Sequence, residues 1–146
     1  MAAISKFLRL STADQYLLLK TSLSVWCVRL GLWLLPLRIV RRGLARLTRE
    51  TSLSRKRSVP VDRVVWAVTV ASRYVPGATC LTQALVTKLM LTRNGHDATV
   101  RFGVARSDKG QFQAHAWVEN NGRIVIGDSQ DLFRFARLPS VEGDPL

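Results

Sequence analysis

Cys80, His115 and Asp128 are the residues whose types and order suit nucleophilic chemistry in this chain. A thiol, an imidazole and a carboxylate can serve acyl transfer as nucleophile, general base and orienting acid. A hairpin carries the last two and sets their spacing. Residues 113–120 read as a strand, Asn121-Gly122 as a two-residue type I′ turn, and residues 123–128 as the returning strand. With Asn120 opposite Arg123, an unbroken ladder puts Glu119 opposite Ile124, Trp117 opposite Ile126 and His115 opposite Asp128. Directly opposed residues have Cβ atoms roughly 4.5–5.5 Å apart. The register therefore predicts an imidazole–carboxylate hydrogen bond that fixes the histidine tautomer.

The thiol has its own local signal. Pro76-Gly77 breaks the chain before Thr79-Cys80. Leu81, Leu85, Leu89 and Met90 then recur at helical spacing up to Asn94-Gly95, where the glycine suits the position just past a helix end. Cys80 is thus expected to open a helix, where the dipole and unpaired N–H groups favour negative charge on a thiolate or on the oxyanion its attack creates. Cys27 sits inside an apolar helical run and reads as a buried structural cysteine. Asp131 is a rival orienting acid, but it lies beyond the strand with no pairing to His115. His96-Asp97 follows the helix stop and reads as loop. No two cysteines or histidines have metal-ligand spacing, and no glycine-rich phosphate loop is present, so neither metal nor cofactor is expected. Trp117, beside His115, is read as core.

These residues need a scaffold. Ala98, Val100, Phe102 and Val104 alternate with polar or small residues and predict a strand over 98–104; Ser107–Gly110 is a turn. Val61, Val64, Val65, Val68 and Ala71 have helical spacing between Pro60 and Val75. Residues 12–48 also look helical, with Ser11 or Thr12 as cap and a kink or break at Pro36. There Leu19, Leu23, Trp26, Leu30, Trp33 and Leu37 form one apolar stripe. The segment Tyr16–Leu37 raises the question of a membrane span, but Lys20 and Arg29 interrupt it. A helix packed on the domain, on a partner, or lying on a membrane surface fits better. Residues 132–146 read as irregular. The expected organisation is a helical arm over 1–50, a basic linker over 51–59 and a domain over 60–146. The fold class is α+β, with helices packed on a small antiparallel sheet.

At 146 residues and 47% hydrophobic content the chain can bury one core. Two cysteines and no signal with a small-residue cleavage site fit a reducing cytoplasm, with attachment to a membrane left open. The net charge of +12 is uneven. Residues 1–60 hold 12 basic and 2 acidic residues, and residues 61–146 hold 10 and 8. The basic part suits anionic lipid or an acidic partner. Nucleic acid is not expected, because no recognition motif or aromatic platform accompanies the charge.

A cysteine opening a helix, followed by a strand histidine and a strand aspartate, resembles the transglutaminase-like branch of papain-type cysteine proteases. The words Val75-Pro76-Gly77-Ala78-Thr79-Cys80-Leu81, Arg93-Asn94-Gly95 and Ala114-His115-Ala116-Trp117-Val118-Glu119 resemble the lasso-peptide leader peptidases. The leucine- and arginine-rich N-terminal segment is similar to that family as well. The resemblance implies a cysteine protease that cuts the leader from a ribosomally made precursor peptide. The freed amine then goes to a separate macrolactam synthetase. It implies a separate leader-recognition protein, since 146 residues leave little room for that domain, and so a stand-alone protease of a split pair. Carried over, Cys80 matches the nucleophile, His115 the base and Asp128 the orienting acid, with no cofactor. Two rivals remain. One is acyl transfer to an amine by the same three residues, as in transglutaminases. The other is a non-catalytic basic scaffold at a membrane surface.

Overall fold

The computed structural model describes residues 2–51 and 59–138. Among these the helices are α1 (Ala2–Leu8), α2 (Thr12–Leu34), α3 (Leu37–Thr51), α4 (Val61–Tyr74) and α5 (Cys80–Arg93). The strands are β1 (Thr99–Arg106), β2 (Phe112–Asn120), β3 (Arg123–Ile126) and β4 (Ala136–Arg137), in one antiparallel sheet of order β3-β2-β1-β4.

Local chemistry explains the helix ends. Ser11 caps α2 by accepting the Asp14 N–H at 3.2 Å, satisfying a donor that the first turn cannot. The Ser11 hydroxyl and the Arg63 guanidinium hold the Asp14 carboxyl below its usual range, and the Asp14–Arg63 pair ties α2 to α4. Pro36 ends α2 as expected: Leu35 is extended, and α3 starts one residue after the proline. Buried Val40 of α3 packs on Gly31 of α2.

Helix α5 is buried almost all round. Ala84, Leu85, Val86, Leu89, Met90 and Leu91 are all in the core, because α2, α3 and α4 cover one side and the sheet covers the other. The N-terminal helices share that core. Leu17, Leu18, Val25 and Val28 of α2 meet Val64, Ala67, Val68 and Ala71 of α4. Of the expected linker, residues 52–58 lie outside the described residues.

The apolar stripe of α2 faces the other way from a core stripe. Leu19, Leu23, Trp26, Leu30 and Trp33 are each at least half exposed, from 50% at Trp26 to 72% at Trp33. The helix has two apolar faces, and the one with smaller side chains is buried. That face packs on the valine- and alanine-lined side of α4.

The sheet is covered on both sides. Val100, Ala116, Val118 and Ile126 belong to the core that the helices complete. On the opposite face lie His115, Trp117 and Glu119 of β2. The segment expected to be irregular covers them: Leu132–Arg134 makes a 3₁₀ turn, and β4 pairs with Gly103 and Val104. Trp117 is 1% exposed there. A Cβ on Gly103 would lie 2.8 Å from the Phe135 Cβ and 2.9 Å from the Trp117 ring, so glycine lets this second layer close. Trp117 Nε1 donates to Glu119 at 3.2 Å, and Arg101 and Arg137 pair with the same carboxylate at 3.2 and 3.4 Å. Burial pushes the Glu119 carboxyl up, but the Trp117 N–H and the two arginines outweigh it and leave it below the ordinary value.

Candidate active site

Cys80 occupies the first position of α5. Thr79 is the cap: its hydroxyl accepts the Thr82 N–H at 3.4 Å and lies 3.3 Å from the buried Thr82 hydroxyl. The thiol is half-buried and in no disulfide. At this position the first-turn N–H groups, that of Cys80 included, have no acceptor within the helix. They are the natural donors for an oxyanion. The preceding turn depends on Gly77, whose φ of 72° is the left-handed region. Arg29 reaches that turn from α2: its Nη2 and Nε lie 2.8 and 2.9 Å from where a Cβ on Gly77 would sit. Its Nε is buried, with no hydrogen-bond partner among the described residues. Sequence reasoning took Arg29 only as an interruption of an apolar run. A cation in mid-helix, one turn after Val25 and beside Val28, is the available signal.

His115 lies on β2, opposite Gly103 of β1. Its ring stands 6.3 Å from Trp117 and 5.5 Å from Phe135, centroid to centroid. Its Nε2 is 2.7 Å from the Gly127 carbonyl oxygen. A carbonyl only accepts, so Nε2 carries the proton in the neutral ring and Nδ1 keeps the lone pair of a base. The tautomer is fixed, but not by the group the sequence suggests.

The hairpin register explains the change. Asn121 and Gly122 both have positive φ, 50° and 77°, as a type I′ turn requires. Asn120 opposes Arg123 and Glu119 opposes Ile124, as expected. The next pair is Val118 with Ile126, leaving Val125 as an extra residue on β3. The expected pairs Trp117–Ile126 and His115–Asp128 are therefore not formed, because a one-residue slip reverses which positions share a face. Asp128 is exposed, and among the described residues it makes no hydrogen bond to His115. Gly127 can come close enough because it lacks a Cβ, which would sit 2.7 Å from the Ala116 carbonyl oxygen.

Helix α5 packs against β2, so the elements bearing thiol and imidazole are neighbours. Among the described residues Cys80 and His115 share no hydrogen bond. The ring shares a face with Trp117 and Phe135, whereas Ala116 and Val118 face the helices. Asp131 precedes the 3₁₀ turn and is exposed. His96 Nε2 is 2.6 Å from the Val59 carbonyl oxygen and anchors the start of α4 instead.

Cys27 is corrected too: it is exposed on α2 rather than buried. A thiol-reactive probe will therefore meet both cysteines, and labelling of Cys80 has to be read in a Cys27→Ser background. That substitution is expected to leave turnover within about twofold of wild type, since surface changes usually shift stability by under about 0.5 kcal/mol. A folded but inactive Cys27→Ser protein would show that the wrong cysteine had been assigned.

Residues 23–140 match the family model described as Transglutaminase-like superfamily. The span includes Cys80, His115 and Asp128, and it begins inside α2. Comparison with curated proteins and with solved structures gives no match.

Proposed function

The chain belongs to the transglutaminase-like superfamily, whose fold is typical of cysteine proteases and acyltransferases, and from that premise we propose a cysteine peptidase that removes the leader from a lasso-peptide precursor. The carrying observation is the pairing of Nε2–H with the Gly127 carbonyl, which leaves Nδ1 as a base on β2, the strand whose other face packs against the Cys80 helix. The words around Cys80 and His115 supply the choice of substrate.

In the proposed reaction Nδ1 of His115 takes the Sγ proton, and the thiolate attacks the carbonyl carbon at the leader–core junction. First-turn N–H groups of α5 receive the oxyanion. The C–N bond breaks, and the departing core amine takes the proton from Nδ1. Water then gives its proton to Nδ1 and attacks the leader thioester, releasing the leader acid and restoring the thiol. The Gly127 carbonyl holds the ring through both steps and accepts from the imidazolium as well. Asp128, the next residue, is the proposed acid of the set and acts on the ring through the strand end that carries this carbonyl. The mechanism needs contact between Sγ and Nδ1, so it is tested at that contact and on peptide.

Asp128→Asn is expected to lower turnover by roughly tenfold, less than loss of thiol or imidazole, because the carbonyl already fixes the tautomer. A loss as deep as that of Cys80→Ala would give the carboxylate the orienting role instead. Precursor peptide, incubated with the protein with and without a separate leader-recognition protein, is expected to yield free leader acid and free core by mass spectrometry. A leader joined to an added amine would replace hydrolysis by amine transfer. Intact precursor under both conditions would remove the peptidase reading. The leader-recognition protein is the proposed partner, and the macrolactam synthetase the proposed recipient of the core.

A further inference from the structure

Among the described residues nothing covers one apolar face of helix α2. Leu19, Leu23, Trp26, Leu30 and Trp33 recur every three or four residues, and Leu34, Leu35 and Leu37 continue the exposed surface past Pro36 into α3. Beyond Pro36 the exposed residues become cationic, with Arg38, Arg42, Arg46 and Arg49 beside exposed Ile39 and Leu47. Between Asp14 and Glu50 the chain carries seven basic residues and no acidic one. We propose that the exposed face of α2, with the arginines of α3, docks this protein in the plane of an anionic lipid bilayer. The inference goes beyond the peptidase reading and does not depend on it.

By length and composition alone α2 could cross a membrane. Its packing argues for lying flat instead. Val25 and Thr21 are fully buried against the domain, as nearly are Leu17, Leu18 and Val28. A span would strip these contacts from α4 and α5 and carry Lys20 and Arg29 into hydrocarbon. In-plane docking keeps the core and immerses only the side already bare. Two tryptophans on that side suit the headgroup level, where amphipathic rings concentrate. The charge selects the surface: a groove on another protein could match the leucines, but the four exposed arginines of α3 beside them match anionic lipid.

The test is flotation of the full-length protein with phosphatidylcholine vesicles, with and without a minority of phosphatidylglycerol. Phosphatidylglycerol is expected to tighten binding by at least about tenfold, and raised salt to weaken it. Trp26→Ser with Trp33→Ser is expected to lower partitioning by about tenfold or more. Arg42→Glu with Arg46→Glu is expected to abolish the preference for phosphatidylglycerol. Circular dichroism checks that both variants fold, which their exposure favours. Equal binding to neutral vesicles, no flotation, or undiminished partitioning of the tryptophan variant would overturn the proposal. A dimer that the tryptophan changes dissolve, with no vesicle binding, would assign the face to a second copy. Bound protein that resists alkaline extraction would replace in-plane docking by insertion.

Discussion

Cys80→Ala and His115→Ala each lower leader release by roughly a thousandfold or more, and the double variant is no worse than either alone. Groups that act as one unit in covalent catalysis are grossly non-additive, because removing either ends the same path. The fold should tolerate both changes. Alanine is a strong helix former at the first turn of α5, with the Thr79 cap untouched. His115 is only half-buried on its strand. Single-turnover cleavage followed by mass spectrometry gives the rate, and far-UV circular dichroism the fold. Full cleavage by purified Cys80→Ala would remove the mechanism. An inactive Cys80→Ala beside a fully active His115→Ala would keep the nucleophile and dismiss the base.

Gly127→Ala is the second change with a large expected effect, although it touches neither nucleophile nor base. Glycine holds φ at 82° there, and a side chain in that region costs about 1–2 kcal/mol. The added methyl would also lie 2.7 Å from the Ala116 carbonyl oxygen and 2.9 Å from the Trp117 Cα, both backbone atoms that cannot swing aside. The end of β3 must then move away from β2 and take the acceptor of the His115 Nε2–H with it. A stability loss of at least about 2 kcal/mol is expected. Activity measured where the variant is still folded is expected to fall by a further tenfold or so. Thermal melts separate the two effects, since they mark the range in which the variant is folded and its rate can be compared with wild type. Wild-type stability and rate in this variant would show that the carbonyl contact does not matter.

Much of the scaffold is legible in the chain, and the failures share a cause. The break at Pro36, the helix opened by Cys80 and the turn at Asn121-Gly122 rest on residues with one conformational use, and all three stand in the structure. The bulge at Val125 does not announce itself. Ile124-Val125-Ile126 is apolar at every position, so no polar residue marks which parity faces the core, and register beyond Glu119 is undetermined by pattern. For α2 the periodicity is real, but two apolar faces compete. Periodicity shows a stripe but not whether the domain, a partner or a membrane covers it; in the structure the face of Leu17, Leu18, Thr21, Val25 and Val28 is the buried one. Strand β4 is two residues long and offers no period to read. As for the site, residue types and order identify Cys80 and His115, but a main-chain oxygen has no letter in a sequence. The Gly127 contact could be found only in three dimensions.

The turn and short strand over 132–137 carry a consequence for how the molecule matures. Phe135 closes one side of the imidazole's setting, and Arg137 helps neutralise Glu119 below it. Both follow His115 by about twenty residues, on the order of a few seconds of translation. A nascent chain halted before them already holds thiol, imidazole and aspartate, yet lacks the wall that encloses the ring. Enclosure of the ring is thus a late event in folding, completed only when residues 132–137 have docked along β1.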